Sequence, residues 1–358
     1  MPVALENSVV LDRLAHVSMA RGAHDLGQRL TLLDRWVKAD LVEFEAELAV
    51  FPRGARVVQV AAHHLLDLGG KHLRPTCVAL ASRFGDGFTA TARSLAVSVE
   101  LVHTATLLHD DVVDVAEHRR GKLAASVEYG NAAAIFAGDW LLVNALRKIG
   151  AAKVEGLLDK MLGVIDDMIL AESLQLERRG KLVANRDEYF KIVEGKTASL
   201  FRWAMVAGAR SAGLDAKAEL ALDQYGFHLG VAFQLIDDEL DFRTGTGKDP
   251  LVDLREGKMT YPLVVAIERQ PALQAQMEAA LQGTADFAMT ANAIRETGAL
   301  VATRELAEEH ANRALDALST LPKGPARDAL EQNLANTFEY VGKCDHATVL
   351  CCRVPSSE

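Results

Sequence analysis

The amino-acid sequence predicts an all-α fold, a single-domain bundle of about ten or more helices around a central cavity. Three observations lead there. Apolar residues recur at steps of three and four, as one face of a helix requires, whereas the strict alternation of a half-buried strand is almost absent. Glycine and proline fall in separated clusters, and the stretches between them run roughly 15 to 30 residues, long for globular helices and suited to a bundle. No Pro/Ser-rich linker or block of charge divides the 358 residues.

Taken in order, residues 1 to about 28 have weak periodicity and are read as an N-terminal extension, an extra helix or a loose arm. The helical domain is placed at 29–345 and opens with Leu33, Val37, Leu41, Phe44 and Leu48 on one stripe, opposite Asp34, Lys38, Glu43 and Glu45. Breaks follow at Pro52-Arg-Gly54, Gly69-Gly70 and Gly85-Asp-Gly87, and the next helix stays apolar until Asp110 and stops before Gly121. Gly180, Gly245-Thr-Gly247, Pro262, Gly283 and Pro322-Lys-Gly-Pro325 divide the remainder, with a second acid-bearing helix ahead of Gly245. A tail, 346–358, is expected to fray.

With 49% hydrophobic residues the chain can bury a large core. Its longest run without Asp, Glu, Lys or Arg is thirteen residues, Gln224 to Ile236, too short to span a bilayer. The start, Met-Pro-Val-Ala-Leu-Glu-Asn, lacks the basic and apolar stretches of a secretory signal, so a cytoplasmic location is expected. Cys77 and the late trio Cys344, Cys351 and Cys352 describe neither a disulfide framework nor a zinc site. A net charge of −10 argues against nucleic acid. It leaves room for an anionic substrate if metal and local bases reverse the sign.

Two aspartate triplets of one form carry the chemistry: Asp110, Asp111 and Asp114, and, 127 residues on, Asp237, Asp238 and Asp241. On a helix the outer members of each triplet, four residues apart, lie one above the other and can hold a hard cation. Leu107, Leu108, Val112 and Val113 frame the first, and Leu235, Ile236, Leu240 and Phe242 the second, so the carboxylates are expected to converge in the interior, neutralised by divalent metal. Asp166-Asp167, lacking a third acid, reads as a solvated helix face. Bases follow each triplet: Arg119-Arg120 after the first, Lys248 and Lys258 after the second. That alternation fits diphosphate chemistry, because Mg²⁺ takes carboxylate, water and phosphate oxygens and Arg and Lys take the phosphate oxygens left over. Gly69-Gly-Lys-His-Leu-Arg-Pro75 adds a further basic cluster at a helix stop and restart, and Lys196-Thr197 reads as a helical pair facing the cavity.

In these residues the chain resembles the trans-prenyltransferase family, the isoprenyl diphosphate synthases, and most of all their long-chain, octaprenyl-type members. The landmarks occur in order from about Leu32 to Tyr340: Gly-Gly-Lys-x-x-Arg-Pro at 69–75, Glu100-x-x-His103, the first triplet, Arg119-Arg120-Gly121, Gly138-Asp139, Gln175, Lys196-Thr197, Phe233-Gln234, the second triplet, Gly247-Lys248 and Asp253 to Lys258. The loop after Asp241 is shorter than is common, and the segment from Lys343 departs from the usual basic ending.

The resemblance implies an isoprenoid synthase fold, a homodimer, and Mg²⁺ as cofactor with Mn²⁺ as possible substitute. It implies that Asp110, Asp111, Asp114, Asp237, Asp238 and Asp241 hold the metal. Arg119, Lys196, Thr197, Gln234, Lys248 and Lys258 would complete the site for an allylic diphosphate, and Lys71, Arg74, His103 and Arg120 would hold isopentenyl diphosphate. Ionisation, condensation and proton loss would follow, with Asp110, Asp111, Asp114, Lys196, Asp237, Asp238 and Lys248 as the catalytic set. Above the first triplet Ala105, Thr106 and Val102 are small, with no aromatic plug, which favours a medium-to-long product. Phe136, Trp140, Val143 or Leu146 on the next helix are candidates for the tunnel floor. The alternatives are a short-chain farnesyl or geranylgeranyl synthase, a class I terpene cyclase, a non-catalytic partner subunit or a di-iron bundle; Lys71, Arg74 and Arg120 argue against the cyclase, and the complete triplets against the silent subunit.

Overall fold

A computed structural model describes residues 24–242 and 251–331, with side chains at Thr31 and from Trp36 onward; the expected extension up to residue 23, Lys248, Cys344, Cys351, Cys352 and the tail lie outside the described residues. Fifteen α-helices make up this part: α1 His24–Ala49, α2 Val57–Leu66, α3 Leu73–Ser82, α4 Ala90–Val113, α5 Ala125–Tyr129, α6 Asn131–Ala152, α7 Leu157–Arg178, α8 Arg186–Val193, α9 Ser199–Ser211, α10 Ala216–Leu240, α11 Val252–Arg255, α12 Tyr261–Arg269, α13 Leu273–Leu281, α14 Phe287–Glu296 and α15 Ala299–Leu318. A π-helical turn, Glu194–Ala198, joins α8 to α9. Among the described residues the only strands are β1 His118–Arg119 and β2 Lys122–Leu123, paired antiparallel with His118 opposite Leu123.

Local chemistry sets the helix ends. Thr89, Asn185, Asp215 and Asp286 each accept the backbone N–H three residues on, at Ala92, Glu188, Ala218 and Met289, so α4, α8, α10 and α14 start from side-chain caps of about 1 kcal/mol each. Helix α4 stops in a Schellman turn, with Ala116 N–H on Asp111 O at 3.0 Å and Val115 at φ +53°. A β-branched residue in that left-handed conformation costs about 1–2 kcal/mol, strain held beside the first triplet. The hairpin turns on Arg120 and Gly121, both at positive φ, as a two-residue turn matching the strand twist requires.

The core centres on α9, where every residue from Ser199 to Ala209 except Arg202 is buried, and α3, α4 and α10 pack around it. Trp203 at its middle donates its indole N–H to Leu157 O at 3.2 Å. Close approach of α10 depends on Gly230: a Cβ there would lie 2.6 Å from Ala198 Cα. That contact seats α10 against the π turn, which brings Gln234, one turn later, to Thr197. No helix among the described residues is long and apolar enough to cross a membrane.

Candidate active site

Both triplets end their helices in the same way. Asp110 and Asp111 stand in the last turn of α4 with Asp114 as its C-cap, and Asp237 and Asp238 stand in the last turn of α10 with Asp241 as its C-cap. A helix C-terminus is already partially negative, so three carboxylates there are disfavoured by the helix and by one another. Cations answer the first triplet. Asp110 lies 3.6 Å from Lys196 Nζ, Asp111 accepts Arg119 Nε at 2.7 Å, and Asp114 accepts Arg179 at 2.8 Å and Lys258 at 2.7 Å. Burial raises the Asp110 carboxyl above its ordinary range. Burial acts the same way on Asp114, but Lys258, Lys196 and Arg179 outweigh it and hold that carboxyl below the range.

The middle aspartates sit differently from their neighbours. Asp111 is 1% exposed, and its Oδ2 is buried without a partner. Asp238, 2% exposed, accepts the Tyr189 hydroxyl at 2.7 Å, Tyr261 N–H at 3.1 Å and Gln234 Nε2 at 2.8 Å. Burial nevertheless pushes its carboxyl up to about 7. Asp237 is exposed, and Asp241 accepts Val252 N–H at 2.9 Å and Asp253 N–H at 3.2 Å, which ties the end of α10 to α11.

The π turn brings the two triplets together. Lys196 reaches Asp110 on α4 and also Glu172 and, at 3.2 Å, Gln175 on α7; its neighbour Thr197 donates to Gln234 at 2.9 Å, which in turn donates to Asp238 on α10. Adjacent residues of the turn thus face different triplets, Lys196 the first directly and Thr197 the second through Gln234. Lys258 closes the circuit from α11's side, and its bonds to Asp114 and Glu256 raise its affinity for the proton in spite of burial. Among the described residues no three acid, histidine or cysteine side chains converge closely enough to hold a cation alone. That donor set suits an ion that takes one or two carboxylates and completes its shell with water and phosphate, as Mg²⁺ does, and the unpartnered Asp111 Oδ2 fits the same role.

A second basic group lies behind the first. The Arg74 guanidinium stacks 4.6 Å from the Phe201 ring centroid, its Nε is buried without a partner, and burial brings its pKa down to about 10. Burial and Arg74 hold His103 well below the usual histidine range, so it is a neutral donor. Arg120 lies over Gly70, where a Cβ would come within 3.1 Å of its Nη2. Lys71, half-buried, precedes α3. The shared counter-charge is Glu100, buried and 3.1 Å from His72 Nδ1; burial opposes its ionisation, but His72 above all, and Arg120, bring its pKa to about 2. The hairpin divides the two groups, since Arg119 serves Asp111 and Arg120 serves Glu100.

Sequence reasoning treated Glu100 only as a signpost for His103 and missed Glu172, Arg179, Tyr189 and Tyr261. Glu172 stands three residues before Gln175, one helical turn, which was a usable signal; Arg179 in Arg178-Arg179-Gly180 looks like an ordinary basic helix end. Val102 and Ala105 are buried, and Thr106 turns its hydroxyl back to His103 O at 2.8 Å. The candidate floor needs correction. Phe136 and Val143 are 59% and 46% exposed on the outer face of α6, and Trp140 packs on Phe51 at 5.1 Å, because the helix has apolar residues on two faces and only one turns inward. Leu146 packs against the core.

A profile of the family described as polyprenyl synthetase matches residues 55–297, a span containing every candidate site residue. Octaprenyl diphosphate synthase of Escherichia coli (strain K12) is 37% identical over 286 residues, 77% of this chain and 87% of that protein. A decaprenyl diphosphate synthase from Rhodobacter capsulatus superposes with a TM-score of 0.80 at 30% identity, covering 86% of this chain and 98% of that one. A polyprenyl synthase from Caulobacter crescentus CB15, complexed with calcium and isoprenyl diphosphate, superposes with a TM-score of 0.76 at 34% identity, covering 93% and 99%. The chain therefore belongs to the polyprenyl synthetase family of trans-isoprenyl diphosphate synthases and is a transferase of prenyl groups.

Proposed function

We propose that the protein joins isopentenyl diphosphate head-to-tail to an allylic prenyl diphosphate, with Mg²⁺, to give a medium-to-long all-trans product and free diphosphate. The observation that carries this reading is the division of the site: one anion socket crowded with carboxylates, and a second, around Arg74, His103 and Arg120, whose nearby acid is Glu100. A diphosphate that must leave belongs in the first and one that must stay attached belongs in the second.

In the first socket Lys196, Thr197, Gln234, Lys258 and Arg119 bind and orient the allylic diphosphate, a role that the resemblance also gives Lys248, and the six aspartates would supply oxygen donors for Mg²⁺. Asp110, Asp114, Asp237 and Asp241 are the more accessible, while Asp111 fixes Arg119 and Asp238 fixes Gln234. When bound, the metal adds Lewis-acid stabilisation of the departing charge. As the allylic C–O bond breaks, Lys196 and Lys258 face the negative charge that develops on the diphosphate. In the second socket Arg74, Arg120 and Lys71 grip isopentenyl diphosphate by charge and neutral His103 by one N–H, which leaves its C–O bond intact. The double bond attacks the allylic cation, a C–C bond forms, and the departed diphosphate accepts the proton that is lost. Burial of Val102 and Ala105 supports a dry wall for the growing chain, since water would capture the cation.

A homodimer and a cytoplasmic location belong to the same reading. The dimer is supported by an outward apolar surface on α6 and α7, with Phe136, Val143, Ile169, Leu170 and Leu176 exposed. The test is to supply labelled isopentenyl diphosphate with geranyl, farnesyl or geranylgeranyl diphosphate and to size the products. Products beyond twenty carbons are expected; products that never exceed twenty would refute the open tunnel.

A further inference from the structure

Arg179 is a cation of the candidate site that the diphosphate reading does not use. Arg179, the C-cap of α7, spreads its guanidinium over three acceptors on two segments: Nε donates to Glu256 O at 2.9 Å, Nη1 to Val113 O at 3.0 Å and Nη2 to Asp114 Oδ1 at 2.8 Å. The next residue adds a backbone bond, Gly180 N–H to Gly257 O at 2.9 Å. Gly257, at φ +74°, lies so close that a Cβ there would stand 2.7 Å from Gly180 N and 3.4 Å from Arg179 Cγ. Arg179 thus joins the end of α4 to the 256–258 segment. The neighbouring Arg178 pairs instead with Glu188 on α8.

The two oxygens of Asp114 therefore have unlike partners. Oδ1 is held by a guanidinium that two backbone carbonyls fix whatever state Asp114 adopts. Oδ2 is held by Lys258 at 2.7 Å, whose other partner is a side chain, Glu256 Oε2 at 2.7 Å. A planar fork with fixed acceptors sets a rotamer, whereas a lysine on a flexible stem exchanges partners readily. We propose that Arg179 is a positioning residue of the allylic-diphosphate site: it holds Asp114 by Oδ1 and sets the 256–258 segment in register, so that Lys258 is the cation released from Oδ2 toward phosphate when substrate and metal enter.

This inference rests on the function proposed above, and the experiment separates the two. Mn²⁺ binding to the full-length protein with inorganic diphosphate is titrated by the loss of the free-ion EPR signal, and KM is measured separately for each diphosphate substrate. Loss of a group that orients a metal ligand typically costs roughly 10- to 100-fold in metal affinity, which is the weakening of Mn²⁺ binding expected for Arg179→Ala and Arg179→Gln, with KM for the allylic substrate raised and KM for isopentenyl diphosphate unchanged. Arg179→Lys keeps the charge and the fold but cannot bridge three acceptors; it is expected to show the same pattern, several-fold weaker. Arg178→Ala is expected to match wild type. If the Arg179 variants lower only the melting temperature, with Mn²⁺ binding and both KM values of wild type, the role is structural and the inference is overturned. If Asp110→Ala also leaves Mn²⁺ binding intact, or wild type shows none, the function proposed above fails as well.

Discussion

Asp238→Asn offers a test in which stability and activity are expected to move in opposite directions. The wild-type carboxyl has a pKa of about 7 in the fold against an ordinary value of 3.8, because burial opposes its charge more than three hydrogen bonds favour it. A carboxyl raised on folding binds its proton more readily in the native state, so its burden is absent below about pH 4 and complete above about pH 7. At about 1.36 kcal/mol per pH unit the burden reaches about 4 kcal/mol at pH 8. Asparagine removes the titration and keeps the shape. Its carbonyl can accept from Tyr189 and Tyr261, and a flipped Gln234 can take its amide, at a residual cost of about 1 kcal/mol. Urea denaturation of metal-free protein, followed by circular dichroism, is expected to find the variant about 3 kcal/mol more stable than wild type at pH 8 and about 1 kcal/mol less stable at pH 4. Its activity is expected to fall roughly 10- to 100-fold, since one carboxylate is lost and the flip of Gln234 turns its amide toward Thr197. Parallel stability profiles for the two proteins across that range would refute the reasoning.

Arg74→Leu is expected to raise KM for isopentenyl diphosphate roughly 10- to 100-fold, the worth of one charged hydrogen bond, with KM for the allylic substrate unchanged in steady-state assays. Ala105→Phe, filling a buried position on the side of the first triplet, is expected to shorten the product in chromatographic sizing and to cost about 1–3 kcal/mol of stability by overpacking. His310 is held neutral by burial and by His228, 3.0 Å away, with a pKa near 4 against 6.5 unfolded. Its contribution is therefore full above pH 6.5 and is lost as pH falls toward 4, about 3 kcal/mol in all, and His310→Leu is expected to remove that part of the acid sensitivity in urea titrations. In light scattering the wild type is expected to run as the proposed dimer, and Phe136→Asp combined with Ile169→Asp as a monomer.

Much of the site was legible because its chemistry is local in sequence. The i, i+1, i+4 spacing of each triplet places the acids within one turn, and the bases after them lie close enough to be read together. The bundle was equally legible from periods of three and four. What escaped depends on long-range placement. Arg179 meets Asp114 from 65 residues away, a distance that leaves no mark in local pattern, and Lys258, legible as a base after the second triplet, meets the first one from 144. The π turn at Glu194–Ala198 looks like ordinary helix in sequence because it differs by one inserted residue, yet from it Lys196 reaches Asp110 and Thr197 reaches Gln234. Phe136 and Val143 were offered as a floor because α6 is apolar on two faces, and periodicity alone does not say which face meets its own chain. Asp111 and Asp238 look equivalent to their neighbours in sequence, but one residue along a helix turns a side chain by about 100° and takes both into the interior.

The central claim is that the acids closing α4 and α10 bring metal to the departing diphosphate. The most direct measurement is the Mg²⁺-dependent transfer of labelled isopentenyl diphosphate to farnesyl diphosphate by wild type, Asp110→Ala and Asp237→Ala, with folding confirmed by circular dichroism. The account predicts labelled product from wild type only with Mg²⁺ or Mn²⁺ present, and a loss of at least about 100-fold in each variant. Turnover that survives either substitution, or that proceeds in wild type after chelation, would contradict it.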